Sequence, residues 1–385
     1  MKVWHIFARH YNFGDHALGL ATRNLFRKYF YDKLIFKYID THQYWIDIGE
    51  VDRMNRDADL ILIGGGGLIH TFDLNGKAWM FHLPSRLINK IRSRLILFAV
   101  GFNQFRTQSK TLHQSVIDNL LAIQKHALAF SVRNDQSKEC LERNGIVNVD
   151  EVADPGFFLD GDYPHPKIDN PYVVVQLAFD SPNDRGINTN LFVPNIVVSI
   201  NHIISQGFSV VLAPHCKPDI LISQAIKDNS AFPNKIFIWD YYKSISDDHL
   251  ATYLGFYKYA EFVIAMRGHA QIIPAGMGVP FVTIANHRKH VDILNTLSMI
   301  DYCVDINDEL ARCLIQKVDL LIQNSKTLRY HLAQRAALME QEMGQYISTL
   351  YRKYNASPYL FLPKMYLLGH KIRSLRNKTI QKINY

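Results

Sequence analysis

The chain has 385 residues, 48% of them hydrophobic, and a formal net charge of +8. That length favours two domains, and that apolar content excludes a disordered chain. Cys140, Cys216, Cys303 and Cys313 are scattered without a CxxC pair, which excludes a disulfide framework or a thiolate metal knuckle and suits a reducing, cytoplasmic setting.

The N-terminus enters a strand-like run at once and has no signal-peptide core. No stretch approaches the ~18 apolar residues of a membrane span. Short β-branched runs predict strands at Val3–Ala8, Leu34–Ile39, Leu60–Ile63, Leu95–Val100 and Leu128–Val132, with a short one at Val149–Val152. Between them, stretches such as His16–Tyr29 and Ser115–Lys125 carry apolar residues at helical spacing. Asp160–Pro171, rich in Pro, Asp and Gly, is the linker candidate. The pattern restarts at Tyr172–Leu177, Ser209–Ala213, Ile236–Trp239, Glu261–Ala265 and Phe281–Ile284, with helices at Pro194–Ser205 and Asp248–Tyr259. From Glu309 to Tyr354 the chain reads as helix. The alternation predicts two doubly wound, Rossmann-like α/β domains facing a cleft, followed by C-terminal helices. The expected boundaries are 1–165, 166–310, a helical extension 311–356 and a tail 357–385.

The net charge sits toward the C-terminus. From Gly344 to Tyr385 there is no Asp or Glu, and eight of the 43 Lys and Arg residues lie there; the rest of the chain balances 35 against 35. Tyr359 to Leu362 and Met365 to Leu368 add apolar surface. Such a segment either lies on an anionic membrane surface or docks as a helix on the body. The body shows no basic stripe, so nucleic acid is not an expected partner.

Candidate site residues cluster at predicted strand ends, where open α/β sheets bind ligands. After the first strand comes Asn12-Phe13-Gly14-Asp15. Asp15 stands where a helix N-cap would, or serves as a general base facing the cleft; the two jobs conflict, because a carboxylate tied to N–H groups is a weaker base. Gly64 to Gly67 follow the third strand and read as a ligand-facing loop, with Gly65 and Gly66 at its centre. The run lacks the spacing of a Walker loop or a dinucleotide fingerprint. Arg133 ends the fifth strand, and Asp154 before Pro155 reads as a turn residue able to orient a neighbour. In the second half, His215 follows one strand, Arg267-Gly268-His269 another, and Arg288-Lys289-His290 a third. A guanidinium and an imidazole at one strand end can hold an anion and move a proton.

Taken in order, Asn12-x-Gly14-Asp15, the Gly64–Gly67 run, Arg133-Asn134-x-x-Ser137, Ala153-Asp154-Pro155, and Arg267-x-His269 with Ala275, Gly278 and Pro280 resemble the polysaccharide pyruvyl transferase family. The resemblance spans about residues 10 to 290. It departs at Asn134, where Asp is frequent, and at Asn286-His287-Arg288-Lys289, where the family often shows a Tyr and a Lys; the acceptor is therefore left open. The resemblance implies a GT-B-like fold and transfer of pyruvate from phosphoenolpyruvate to sugar hydroxyls of a surface polysaccharide or its lipid-linked precursor. A ketal forms and phosphate leaves. No cofactor or metal is implied, phosphoenolpyruvate being the donor substrate. In that chemistry Arg133 and Arg267 hold phosphate and carboxylate, and His269 is the general acid. Asp15 is the base, and Asn12, Gly65, Gly66, His215 and Lys289 contact substrate. A glycosyltransferase of the same fold using a nucleotide-activated sugar is the alternative, and a non-catalytic glycan-binding scaffold the third reading. The expected location is cytoplasmic, at the inner face of the membrane if the tail binds lipid.

Overall fold

The computed structural model describes residues 1–9, 12–31, 33–41, 46–70, 80, 83–102, 111–168, 171–183, 185–241 and 246–356. The tail from 357 lies outside the described residues. The first half runs β1 (Lys2–Phe7), α1 (Phe13–Tyr29), β2 (Ile35–Asp40), α2 (Ile48–Asp57), β3 (Leu60–Ile69), α3 (Ser85–Ile88), β4 (Arg94–Phe102), α4 (Gln114–His126), β5 (Ala129–Arg133), α5 (Ser137–Arg143) and β6 (Asp150–Val152). The second runs β7 (Tyr172–Gln176), α6 (Thr189–Ser205), β8 (Ser209–Leu212), α7 (Lys217–Asn229), β9 (Ile236–Ile238), α8 (Asp247–Lys258), β10 (Val263–Ala265), α9 (Gly268–Gly276), β11 (Phe281–Ala285), α10 (Arg288–Thr296) and β12 (Cys303–Asp305). A single helix, α11 (Leu310–Ala356), follows.

Each half is one parallel six-stranded sheet, ordered β2-β1-β3-β4-β5-β6 and β12-β11-β10-β7-β8-β9. The central strands are apolar on both faces; β7 and β10 are buried at every position, as sheets covered by helices on both sides require. The order reverses at β1/β3 in one sheet and at β7/β10 in the other. Those switch points open crevices at the carboxyl strand ends, and the two crevices face each other.

Two sequence expectations change. The strand β12 joins the second sheet beside β11; at three residues it is too short to show a period. Helix α6 starts at Thr189, capped by Asn188, and takes Pro194 inside it. Pro194 is the sixth helical residue, past the first turn whose N–H groups lack partners, so the helix forgoes the bond that an N–H there would give to Asn190 O.

The halves share a core. Phe13, Ala17 and Ala21 of α1 belong to the apolar cluster built by the second sheet and its helices. Helix α11, about 70 Å long by its 47 residues, buries Leu314, Val318 and Leu321 in that cluster and Met343, Ile347 and Leu350 against the first half. No helix among the described residues is long and apolar enough to cross a membrane.

Candidate active site

The two crevices form one cleft of about 630 Å³. Four helix N-termini end at its wall: α1, α7, α9 and α10 contribute Asn12, Lys217, Gly268 and Lys289 to the lining. Converging N–H groups and helix dipoles make such a wall suited to anions.

The Asn12 side chain caps α1 by accepting from Gly14 N at 2.8 Å. Of the two readings of Asp15 the cap is thereby excluded: Asp15 lies in the first turn and lines the cleft. Asn12 takes the cap because it is the residue just before the helix, with extended backbone, and its side-chain oxygen faces the free N–H groups of the first turn.

The glycine run also differs from expectation. It lies within β3 rather than in a loop beyond it. A Cβ on Gly64 would meet Phe98 O at 1.9 Å, and one on Gly65 would meet Thr22 Oγ1 at 2.6 Å. These two glycines permit close packing of β3 on β4 and on α1, with φ of +149° and +75°. Gly66 lies nearest Asp15, and Gly67 is the glycine that lines the cleft.

Arg133 is buried at the end of β5. It donates to Asp154 Oδ2 at 2.9 Å, pairs with Asp135 Oδ2 at 2.9 Å, and donates to His269 Nε2 at 3.4 Å. That last contact joins the halves. Its guanidinium occupies the space that a side chain at Gly101 would fill, 1.9 Å from the nearest Cβ position. Asp154 does more than turn the chain: it accepts from Gly156 N at 2.8 Å as well as from Arg133.

His269 stands at the start of α9 with its Nδ1 edge against α1. A Cβ on Gly14 would lie 2.1 Å from Nδ1. Because a guanidinium can only donate, Nε2 accepts, and the neutral ring carries its proton on Nδ1. Burial first, then the charges of Arg133, Lys289 and Arg267, hold the imidazole well below its usual range. The group expected to act as general acid is therefore neutral in the free cleft.

Arg267 is more firmly held than its sequence position suggests. Asp219 accepts from its Nε at 3.1 Å and Nη2 at 2.7 Å, and Asp180 takes Nη2 as well. Asp219 also accepts from the backbone N–H groups of Phe179, His215 and Cys216. Burial raises the Asp180 carboxyl, but Arg267 and Arg185 outweigh it and hold the group at about 2. Asp180, Asp219 and Arg185 were not legible as site residues. Pro218-Asp219 signals only a helix start, and partners far apart in sequence leave no local pattern.

Lys289 lines the cleft without an ion pair among the described residues. Burial first, then Arg133, lowers its ammonium to about 8. His215, by contrast, does not line the cleft. It is fully buried, bonds Tyr257 Oη at 2.6 Å, packs on Phe13 at 4.7 Å between ring centres, and accepts from Phe13 N at 3.0 Å. It ties α1 to the second half, so its expected substrate contact is corrected to a structural one.

The polysaccharide pyruvyl transferase family model matches residues 12–288. No curated protein matches the chain. Among solved structures the fold is similar to the S. aureus MnaA–UDP co-structure, with TM-score 0.52 and 12% identity over 86% of this chain and 90% of that one. It is also similar to UDP-GlcNAc 2-epimerase from Neisseria meningitidis bound to UDP-GlcNAc, with TM-score 0.52 and 11% identity over 89% and 99%. A further UDP-N-acetylglucosamine 2-epimerase gives TM-score 0.55 and 12% identity over 93% and 97%. At such identities the likeness establishes the GT-B-type architecture alone.

Proposed function

The chain belongs to the polysaccharide pyruvyl transferase family, an enzyme family, and from that premise we propose that it transfers pyruvate from phosphoenolpyruvate to sugar hydroxyls of a surface glycan or its lipid-linked precursor. The observation that carries the reading is the meeting of Arg133 from one half with His269 from the other, 3.4 Å apart, beside Lys289 in a cleft walled by helix N-termini. Phosphoenolpyruvate carries a phosphate and a carboxylate, and this wall offers cations and N–H groups to both.

Proton transfer to the donor's methylene carbon leaves a cationic centre at the adjacent carbon. A first sugar hydroxyl adds there and gives its proton to Asp15. A second hydroxyl displaces inorganic phosphate and gives its proton back to His269, while the phosphate leaves with the proton held by Asp15, so the carbon ends bonded to two sugar oxygens, a methyl and a carboxylate. His269 supplies the first proton. Donor anions draw Arg133 off Nε2 and offset the charges of Arg133, Lys289 and Arg267 that depress the imidazole. The ring then accepts a proton at Nε2 and becomes the acid. The acid is thus armed by its own substrate.

The test is phosphate release from phosphoenolpyruvate across α- and β-linked galactosides, glucosides and N-acetylhexosaminides, with product mass read alongside. Acceptor-dependent phosphate and a sugar gaining one pyruvate establish the reaction. Silence across the panel, with thermal protection by a nucleotide sugar and none by phosphoenolpyruvate, assigns glycosyl transfer instead.

A further inference from the structure

Beside the cleft, along one stripe of α1, lies a second cationic cluster that the donor chemistry does not use. Arg23 is 1% exposed, and its Nε and Nη1 have no hydrogen-bond partner among the described residues. Rings face its guanidinium instead of a carboxylate: Tyr38 at 4.3 Å and Phe7 at 5.2 Å from their centres. Such contacts offset only part of the cost of burying a charge. Arg9, just past β1, reaches the same Tyr38 ring at 5.8 Å, and its Nε is also buried without a partner.

The nearby charges leave those guanidinium nitrogens without a hydrogen bond among the described residues. Asp247 lies 3.9 Å from Arg9 Nη2 and 3.2 Å from His16 Nε2, while Arg27 adds a further cation over Phe36. His5 and His16 are held at about 3 and about 4, by burial first and then by Arg23 and Arg9 respectively, so neither is charged at neutral pH. Arg9 and Arg23 thus keep unpaired guanidinium nitrogens beside two carboxylates, Asp247 and Asp40, the latter accepting from Arg9 N at 3.4 Å. Tyr38, 38% exposed, forms the rim.

We propose that Arg9 and Arg23 form a second anion site, taking a phosphate or diphosphate group carried by the acceptor. The assignment rests on the transferase reading above. Three unpartnered guanidinium nitrogens suit a tetrahedral phosphate better than a single carboxylate, and arginine binds phosphate through two parallel donors. Arg23 lies eight residues beyond Asp15 on α1, about 12 Å along the axis. That spacing leaves room for a saccharide whose hydroxyl meets Asp15 while its phosphate meets the arginines.

Inorganic pyrophosphate is the probe for binding, titrated calorimetrically into the full chain with phosphoenolpyruvate saturating the donor cleft. Arg9→Gln and Arg23→Met should each bind it about tenfold or more weakly than the parent, with thermal protection by phosphoenolpyruvate retained. Arg9 is partly exposed, so Arg9→Gln keeps the test decisive if Arg23→Met does not fold. In turnover, the kcat/KM preference for a saccharide 1-diphosphate over the same phosphate-free saccharide should fall about tenfold in Arg9→Gln. Equal pyrophosphate affinity in Arg9→Gln and parent, or a parent with no preference for the diphosphate form, overturns the proposal. Failure of the transferase reading looks different: no saccharide of either kind gains pyruvate, whatever pyrophosphate does.

Discussion

His269 and Lys289 place opposite demands on pH. Burial first, and then neighbouring cations, depress the imidazole, so the proposed mechanism requires an anion in the cleft for it to become charged. His269→Gln should keep donor binding within a few-fold, read by thermal protection, and lower kcat by about 10²–10⁴. Unchanged turnover would remove His269 from the proton path. Lys289, lowered to about 8, is a cation below that pH and neutral above it. The donor is an anion, so kcat/KM for phosphoenolpyruvate should fall as pH rises through about 8, by up to tenfold per unit. Lys289→Gln should flatten that limb while lowering the plateau. A limb that persists in Lys289→Gln belongs to another group.

Helix α1 and strand β4 hold the site together through residues that lack a side chain. Gly14 lets α1 lie against the His269 ring, and Gly101 lets β4 pass under the Arg133 guanidinium. Arg133 is paired with Asp135 and Asp154, so a displacement large enough to clear a methyl group at Gly101 costs those pairs, whereas the smaller shift off His269 Nε2 keeps them. Gly101→Ala should therefore raise KM for the donor by about tenfold or more, with the far-UV spectrum unchanged. Gly14→Ala should lower kcat instead, because it pushes apart the two elements that bring His269 and Asp15 to one cleft. If both alanine variants keep parent kinetics, side chains move more freely than this packing allows.

The whole molecule behaves as two sheets fastened by α1 and α11. Phe13, Ala17 and Ala21 are core residues of the second half although they stand in the first. Ile347, fully buried at the far end of α11, packs with Val3 and Phe26. Ile347→Ala should cost about 2–4 kcal/mol and shift one calorimetric transition downward without splitting it. Two resolved transitions would show that the halves unfold separately. The basic segment from Ser357 calls for a different measurement, co-sedimentation with anionic liposomes. Deleting Ser357–Tyr385 should abolish it and leave thermal stability within a few degrees. Aggregation of the shortened chain would assign the segment to the body instead.

Period and strand-end chemistry are local properties, and they were legible. Alternating β-branched runs and amphipathic stretches predicted the two parallel sheets, because a strand buried on both faces must be apolar throughout. Arg133 and Arg267 stood out because each follows an apolar run, with His269 and Lys289 a few residues on, and all four line the cleft, since a carboxyl strand end is where a doubly wound sheet opens. Partnership is not local. Asp219 is 48 residues from Arg267, and Arg133 is 136 residues from His269. Only the tertiary structure decided that Asp219 and Asp180 hold Arg267, that His215 turns inward to Tyr257, and that Asn12 rather than Asp15 caps α1. The same holds for charge. A histidine's sequence neighbours say nothing of the three cations that surround His269, because an imidazole's proton affinity is set by distance and burial.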